Sequence, residues 1–265
     1  MIFELGDGLV FPDPRLGQEN GLLAVGGDLS LPRLLLAYSY GIFPWFSFRD
    51  WDRPAWYCPM QRFVIFTDEI HISHSMRTLL NKDKYEITFN RDFAGVIKGC
   101  GEVDDRYNQQ GAWLGEEIIK AYTNLHRCGF AVSVEVWNRQ GDLVGGLYGV
   151  VKGLNFIGES MFSKEPNTSK IALIRLAQIM QIGGGKLIDC QLETDHLRSM
   201  GGRFIPYEEY MEIINPGGME YFEKHPTVVS DGGWENLEDL DDTDDRVTED
   251  PQDGVGEDAG GELPQ

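Results

Sequence analysis

Cysteine, long apolar runs and basic residues are all scarce in this sequence. Its 265 residues include 4 Cys, which lie far apart without a C-x-x-C pair, and this spacing argues against a disulfide framework or a structural zinc site. No stretch approaches the roughly 18 consecutive apolar residues that a membrane-spanning helix needs. The first residues lack the basic leader and apolar run of a secretion signal. We therefore expect a soluble, cytoplasmic protein without a membrane partner.

Acidic residues outnumber basic residues by 43 to 23, so the formal net charge is −20. The imbalance is concentrated at the end of the chain. From Thr227 onward 14 residues are acidic and only Arg246 is basic, which leaves a charge of −7 on the preceding part of the chain. A segment so poor in apolar residues cannot offset the entropy lost on ordering, so we expect a disordered acidic tail at 227–265.

The sequence pattern changes near residue 61. Residues 1–61 are rich in Gly, Pro and aromatic residues and contain one clear helix, which Ser30 caps and Gly41 ends. Residues 62–226 alternate strands with helices. The main predicted elements of this second region are the strands Arg62–Phe66, Ala131–Trp137, Asp142–Val151, Leu154–Phe162 and Leu187–Gln191, and a helix over Lys170–Ile182 with Ser169 as its N-cap. We therefore predict an α+β protein in which a small N-terminal α/β domain precedes a larger sheet-and-helix domain.

The last of these strands carries two polar residues. Alternate side chains of a strand share a face, so Asp189 and Gln191 should point one way while Ile188 and Cys190 point the other. An acid and an amide at a strand end can hold an amine and a carbonyl group, although a structural hydrogen-bonded pair would show the same pattern. Glu159 is a second acid in an apolar strand, and a buried acid is either paired in a salt bridge or functional.

Metal and nucleotide motifs are weak. His71 and His74 have no evident third ligand nearby, and Gly183–Gly185 lacks the spacing and the following Lys-Ser/Thr of a phosphate-binding loop. We therefore expect neither a metal nor a cofactor.

Five short motifs together carry a family resemblance. In chain order they are Gly21–Leu29, Ala37–Tyr38 with Gly41–Phe46, Val144–Val150, Gly158–Ser163 and Ile188–Gln191. This set resembles the leucyl/phenylalanyl-tRNA–protein transferase family, and the likeness runs from about Phe11 to Tyr210. The chain departs from the family pattern at Trp56–Pro59 and at Ala112–Leu114, where aromatic or apolar character is kept.

The resemblance implies an activity, a fold and partners. Members of this family move leucine or phenylalanine, and less well methionine, from tRNA onto the N-terminal Arg or Lys of a protein, which marks that protein for N-end rule degradation in bacteria. Their fold pairs a small N-terminal domain with a domain like that of the GNAT-type acetyltransferases. The implied partners are aminoacyl-tRNA and acceptor proteins, and we expect a monomer.

The same resemblance assigns roles to residues of this chain. Asp189 and Gln191 correspond to residues around the attacking amine, where Asp189 is implied to hold the ammonium side and to orient Gln191. Glu159 is implied to lie near the aminoacyl amine or ester. Because a neutral amide has almost no proton affinity at pH 7, Gln191 can only aim the amine. Proton removal by a water or by the ribose hydroxyl stays open. Trp45 and Trp113 correspond to residues that stack on the terminal adenine.

Apolar and basic residues complete the implied site. The pocket for the Leu or Phe side chain is implied to consist of Leu147, Phe156, Met161, Leu173, Leu176 and Ile188, which could equally be simple core. tRNA is a polyanion, and four basic residues close in sequence could form a local basic face that grips it weakly and in a salt-sensitive way. These four are Arg62, Arg77, Lys82 and Lys84.

Two other functions compete with this interpretation. An acyl-CoA-dependent acetyltransferase would need a glycine-containing loop that binds pyrophosphate, but Pro166–Lys170 has no glycine pair. A non-catalytic adaptor for N-termini or tRNA would not need Asp189 and Gln191 together.

Overall fold

A four-stranded sheet forms the first part of the structure. The computed structural model describes residues 2–45, 53–107, 115–230 and 233–236. The strands of this sheet pair in the order β1, β2, β4, β3. They are β1 (Phe3–Leu5), β2 (Leu22–Gly26), β3 (Phe43–Trp45) and β4 (Ala55–Tyr57). A short 3-10 helix, Pro14–Leu16, and helix α1, Leu31–Ser39, connect them. The predicted helix after Ser30 is thus confirmed, and the chain leaves it at Gly41 with a φ of 69°.

A seven-stranded sheet forms the larger part, in the order β11, β5, β10, β9, β8, β7, β6. Its strands are β5 (Gln61–Phe66), β6 (Glu86–Phe89), β7 (Ala131–Trp137), β8 (Leu143–Lys152), β9 (Asn155–Ser163), β10 (Leu187–Gln191) and β11 (Arg203–Pro206). Only β9 and β10 run parallel, and they pair at just two positions, Phe156 with Ile188 and Ile157 with Asp189. The predicted meander of β7, β8 and β9 is confirmed.

Helices cover both faces of this sheet. They are α2 (His74–Leu80), α3 (Phe93–Tyr107), α4 (Glu116–Arg127), α5 (Thr168–Ile182), α6 (Asp195–Ser199), α7 (Tyr207–Ile214) and α8 (Glu220–Lys224). One apolar cluster joins α3, α4 and α7 to the sheet and continues into the four-stranded sheet through α1 and Trp56. A second cluster lies on the opposite face, under α5 and α2. The α+β class with a small N-terminal part is confirmed.

The N-cap of helix α5 differs from the prediction. Helix α5 begins at Thr168 with Asn167 as its N-cap, so the assignment of Ser169 as the cap is wrong. Ser169 lies inside the first turn. Two bonds to neighbouring strands fix the start of the helix: the Ser169 N–H donates to the Ser163 hydroxyl, and the Thr168 hydroxyl donates to the carbonyl of Val144.

The segment expected to be a disordered tail begins with two short strands. Strand β12 (Thr227–Ser230) pairs with β13 (Gly233–Asn236), and the Asp13 N–H donates to the hydroxyl of Thr227. The prediction rested on the acidic composition of the whole segment and overlooked the Val and Trp residues at its start, which favour strands. The rest of the predicted tail, 237–265, lies outside the described residues. Among the helices that are described, none has the length and apolarity to cross a bilayer.

Candidate active site

Glu159 lies on a β-bulge in β9. Tyr148 of β8 pairs with Ser160 and Gly149 pairs with Gly158, so Glu159 is left as the extra residue between them. The bulge inverts the alternation of the strand. Phe156 faces the cluster under α5, whereas Phe162, six residues later, faces the opposite cluster. A bulge of this kind re-aims the side chain that it carries, which explains how an acid of an apolar strand reaches a polar site.

Two buried tyrosines hold the Glu159 carboxylate. The hydroxyl of Tyr38, from α1, donates to Oε1 at 2.7 Å, and that of Tyr122, from α4, donates to Oε2 at 2.8 Å. The two hydroxyls also lie 2.5 Å apart. Burial raises the pKa of Glu159 to about 7, although both tyrosine hydrogen bonds act to lower it. Burial and the charge of Glu159 raise the pKa of each tyrosine well above its ordinary value, so both remain donors.

Gln191 approaches Glu159 from the neighbouring strand. The pairing of β10 with β5 shifts between Asp189 and Gln191, and Gln191 has a φ of 61°, in the left-handed region. Its Nε2 donates to Oε1 of Glu159 over 3.2 Å. Among the described residues no donor contacts its amide oxygen, which can therefore accept from a ligand. The predicted faces are confirmed, because Ile188 and Cys190 both pack in the cluster on the other side of the sheet.

Asp189 is fully buried and cannot itself meet an incoming ammonium. Its carboxylate accepts hydrogen bonds from Nε of Arg62 at 2.9 and 3.0 Å and from the hydroxyl of Tyr210 at 2.7 Å. The backbone N–H of Gln191 donates to Oδ1 of the same carboxylate at 2.8 Å. The expectation that Asp189 holds the acceptor's ammonium group is therefore corrected, because this carboxylate is buried. Its bond to the Gln191 backbone fits the other expectation, that it orients Gln191.

Arg62 does not belong to a basic face. Its side chain is 0% exposed and its Nη2 lies 2.8 Å from Asp189 Oδ2, so the prediction of a tRNA contact is wrong for this residue. The strand alternation turns Arg62 inward, beside Val64 of the same core. The other three predicted basic residues, Arg77, Lys82 and Lys84, are exposed, and Lys84 donates to Glu165 at 2.9 Å.

The six residues predicted for the aminoacyl pocket come together. They line the cluster between the sheet and α5, where Leu147 pairs with Met161 across β8 and β9 and Phe156 pairs with Ile188 across β9 and β10. Leu173 and Leu176 of α5 pack over them, and only Met161 of the six is partly exposed. The cluster thus lies on one face of β9, whereas the Glu159 side chain meets its tyrosine partners on the other face.

Of the two tryptophans expected to stack on a base, only Trp45 can be placed. It stands at the end of β3 with 37% of its surface exposed and meets the ring of Tyr57 edge-on at 5.4 Å between centroids. An exposed indole held on one side can accept a stacked base on the other. Trp113 lies outside the described residues.

Sequence reasoning missed the tyrosines of the site. Tyr38 stood out only as part of a motif, Tyr210 only as the end of the family likeness, and Tyr122 not at all. A signal was available, because a tyrosine on the buried face of a helix needs a partner for its hydroxyl, and the acids of β9 and β10 are natural partners. Their pairing could not be read from sequence separation alone, since Tyr38 and Glu159 are 121 residues apart.

A carboxyl group with a pKa of about 7 can exchange a proton near neutral pH, and the adjacent amide can orient an amine. The arrangement therefore offers a carboxyl group suited to acid–base chemistry beside an amide that can orient an amine, with the apolar cluster across β9 from them. Within the described ranges no group of three or more His, Cys, Asp or Glu side chains is arranged to hold a metal.

Comparison with known proteins gives two family matches. The family model described as leucyl/phenylalanyl-tRNA protein transferase matches residues 64–215, and that of the N-terminal domain of the same transferase matches residues 27–60. A leucyl/phenylalanyl-tRNA–protein transferase of Syntrophus aciditrophicus is 50% identical over 80% of this chain and 87% of its own length. One from Syntrophobacter fumaroxidans is 44% identical over 88% of this chain and 95% of its own length.

Solved structures resemble the chain only loosely. The structure of L-PGS from Bacillus licheniformis has a TM-score of 0.35 and 14% identity, and it covers 76% of this chain and 64% of its own. A likeness this weak indicates nothing further about the chain.

The sequence matches define the chain as an aminoacyltransferase, an enzyme that moves an amino acid from one carrier to another. More specifically, the chain belongs to the leucyl/phenylalanyl-tRNA–protein transferase family. The resemblance seen in five short motifs is thus confirmed over most of the chain. The family name itself specifies tRNA and protein as the two substrates.

Proposed function

We propose that this enzyme transfers leucine or phenylalanine, and less well methionine, from tRNA to the N-terminal Arg or Lys of acceptor proteins, and that it thereby marks them for N-end rule degradation in the cytoplasm. The observation that carries the proposal is the Glu159–Gln191 pair. It combines a carboxyl group whose pKa is about 7 with an amide oxygen free to accept from an amine. Aminolysis of an ester near neutral pH needs both functions.

The chemistry requires one proton to move. The α-amine of the acceptor attacks the ester carbonyl, the new C–N bond forms, and the bond between that carbon and the ribose oxygen breaks. The amine loses a proton and the ribose oxygen gains one. Glu159, as the carboxylate, accepts the proton and returns it to the ribose oxygen, while the amide oxygen of Gln191 orients the amine.

Selectivity for the two substrates has separate sources. The cluster behind β9 accommodates an apolar aminoacyl side chain through partly exposed Met161, whose flexible thioether suits both branched and aromatic shapes. Trp45 supplies a surface for the terminal adenine. The carboxylate of Glu159 and an overall acidic chain favour a basic acceptor N-terminus.

The test is transfer of radiolabelled leucine from Leu-tRNA to a reporter protein that begins with Arg, beside the same reporter beginning with Ala. The wild-type enzyme should label only the Arg reporter. Glu159→Gln should lower the transfer rate about 100-fold or more, because it removes the group that carries the proton. Glu86→Gln, a change of an exposed carboxylate in the same sheet, is the control and should leave the rate unchanged.

Equal labelling of both reporters would contradict the proposed acceptor. A Glu159→Gln enzyme as fast as the Glu86→Gln control would contradict the assigned proton carrier.

A further inference from the structure

We propose that Arg62 and Tyr210 are positioning residues of the transfer reaction, which act on the substrates through Asp189 and Gln191 without touching them. The inference rests on the proposed function and deepens it. Both residues are fully buried, one in β5 and the other in α7.

The Asp189 carboxylate is saturated by donors. Oδ1 receives Nε of Arg62 and the N–H of Gln191, and Oδ2 receives Nε and Nη2 of Arg62 and the hydroxyl of Tyr210. A carboxylate has about four acceptor positions, so none remains for a substrate. The function of this buried ion is therefore to hold other groups of the protein in place.

Arg62 is held on several sides. Its guanidinium lies 4.8 Å from the ring centre of Phe43 and 4.7 Å from that of Tyr210, and its Nη2 also donates to the Tyr210 hydroxyl over 3.4 Å. Burial lowers the pKa of Arg62, but the Asp189 charge offsets this and the pKa lies above its ordinary value. The guanidinium is thus charged and is held by contacts on several sides. A buried ion pair is a poor device for stability, since well-packed apolar residues would often serve as well.

The Arg62–Asp189 pair holds the backbone of Gln191. A non-glycine residue with a φ of 61° is strained and persists only where its surroundings enforce it. Here the Asp189 carboxylate accepts the Gln191 backbone N–H and so fixes the residue in that conformation, from which its side chain reaches Glu159. The contacts form one chain from Arg62 and Tyr210, through Asp189, to Gln191 and Glu159.

The experiment compares two tyrosines of the same helix. Tyr210→Phe removes the hydroxyl that donates to Asp189, whereas Tyr207→Phe removes an equally buried hydroxyl that donates to the carbonyl of Tyr40. With the full chain, Leu-tRNA and the Arg reporter, we expect Tyr210→Phe to lower kcat about tenfold while KM for Leu-tRNA stays within about twofold. Tyr207→Phe should change neither kcat nor KM by more than about twofold.

A second pair of variants addresses Arg62. Arg62→Lys keeps the positive charge with fewer donors, and Arg62→Met removes the charge, so kcat should fall in the order wild type, Lys, Met when all three show the same folded circular dichroism. A purely structural role predicts no such order among equally folded enzymes.

Three results would overturn the inference. They are equal kcat for the two phenylalanine variants, a rise in KM with unchanged kcat for Tyr210→Phe, and equal activity of Arg62→Lys and Arg62→Met. Failure of the wild-type enzyme to label the Arg reporter is a different outcome, because it would overturn the proposed function itself.

Discussion

At the scale of single residues, the site depends on how each acid is surrounded. Asp189 accepts hydrogen bonds from a buried guanidinium, whereas Glu159 accepts them from two tyrosine hydroxyls and an amide. The first carboxylate therefore serves as a fixed anchor. The second has a pKa of about 7 and can change its protonation state under working conditions. The two acids lie on neighbouring strands, and their surroundings assign them different roles.

The raised pKa of Glu159 should make the free energy of unfolding depend on pH. Folding raises this pKa above the unfolded value, so the folded state binds the proton more tightly. The stabilisation by this proton is complete below the unfolded pKa and is lost as the pH rises through about 7. Relative to Glu159→Gln, the wild-type free energy of unfolding should thus fall between about pH 5 and about pH 8.

Urea denaturation of both proteins at several pH values measures this difference. Glu86→Gln serves as the control and should run parallel to the wild type, because that carboxylate is exposed. Parallel curves for Glu159→Gln as well would show that its pKa is not raised by folding.

At the scale of secondary-structure elements, two irregular strands form the site. The bulge at Glu159 in β9 and the register shift before Gln191 in β10 lie side by side, where the short parallel pairing of these strands has ended. In regular strands, strict alternation would decide the face on which the Glu159 and Gln191 side chains lie. The irregularities let both side chains meet on one side while the apolar cluster stays continuous on the other.

The β9 bulge needs a glycine opposite it. A Cβ on Gly149 would clash with the carbonyl oxygen of Ile157 and with the ring of Phe156. Gly149→Ala should therefore lower the free energy of unfolding by about 2 kcal/mol or more and reduce transfer, since the bulge must shift. Gly6→Ala is the matched control, because no atom lies within 4 Å of its Cβ position.

Equilibrium denaturation and the leucine-transfer assay together check the Gly149 prediction. An alanine at Gly149 that left both stability and rate at the level of the Gly6 control would show that the bulge tolerates a side chain.

At the scale of the whole molecule, charge opposes the binding of tRNA. The chain carries −20 overall, so any attraction for the phosphate backbone must come from a local concentration of basic residues. With Arg62 buried, Arg77 and Lys82 are the exposed members of the predicted basic face that form no ion pair within the described part of the chain, while Lys84 is paired with Glu165.

Charge reversal tests this basic face. The double variant Arg77→Glu/Lys82→Glu should raise KM for Leu-tRNA and flatten its dependence on salt, since fewer counterions are released on binding. Lys224→Glu, an exposed change outside the family-matched residues 64–215, is the control and should leave both unchanged. A double variant with the KM and salt dependence of the wild type would place the tRNA on another surface. The division into domains at 1–61 and 62–226 stays a prediction.

The sequence by itself determined the order of elements, the α+β class and the family. Local propensity, periodicity and short motifs carry that information, so the helix after Ser30 and the meander of β7 to β9 were predicted within a few residues. The motifs also singled out Glu159, Asp189 and Gln191. Their shared face was predictable for the last two, because the strand period is local.

Only the tertiary structure decided what those residues do. Arg62 reads as a surface cation in sequence, and its partner Asp189 lies 127 residues away, so no local pattern could show that the two neutralise each other in the core. The tyrosines that set the environment of Glu159 come from two separate helices, and the bulge that aims it depends on pairing with β8. Protonation and orientation follow from such long-range contacts, because burial and neighbouring charges exist only once the chain has folded.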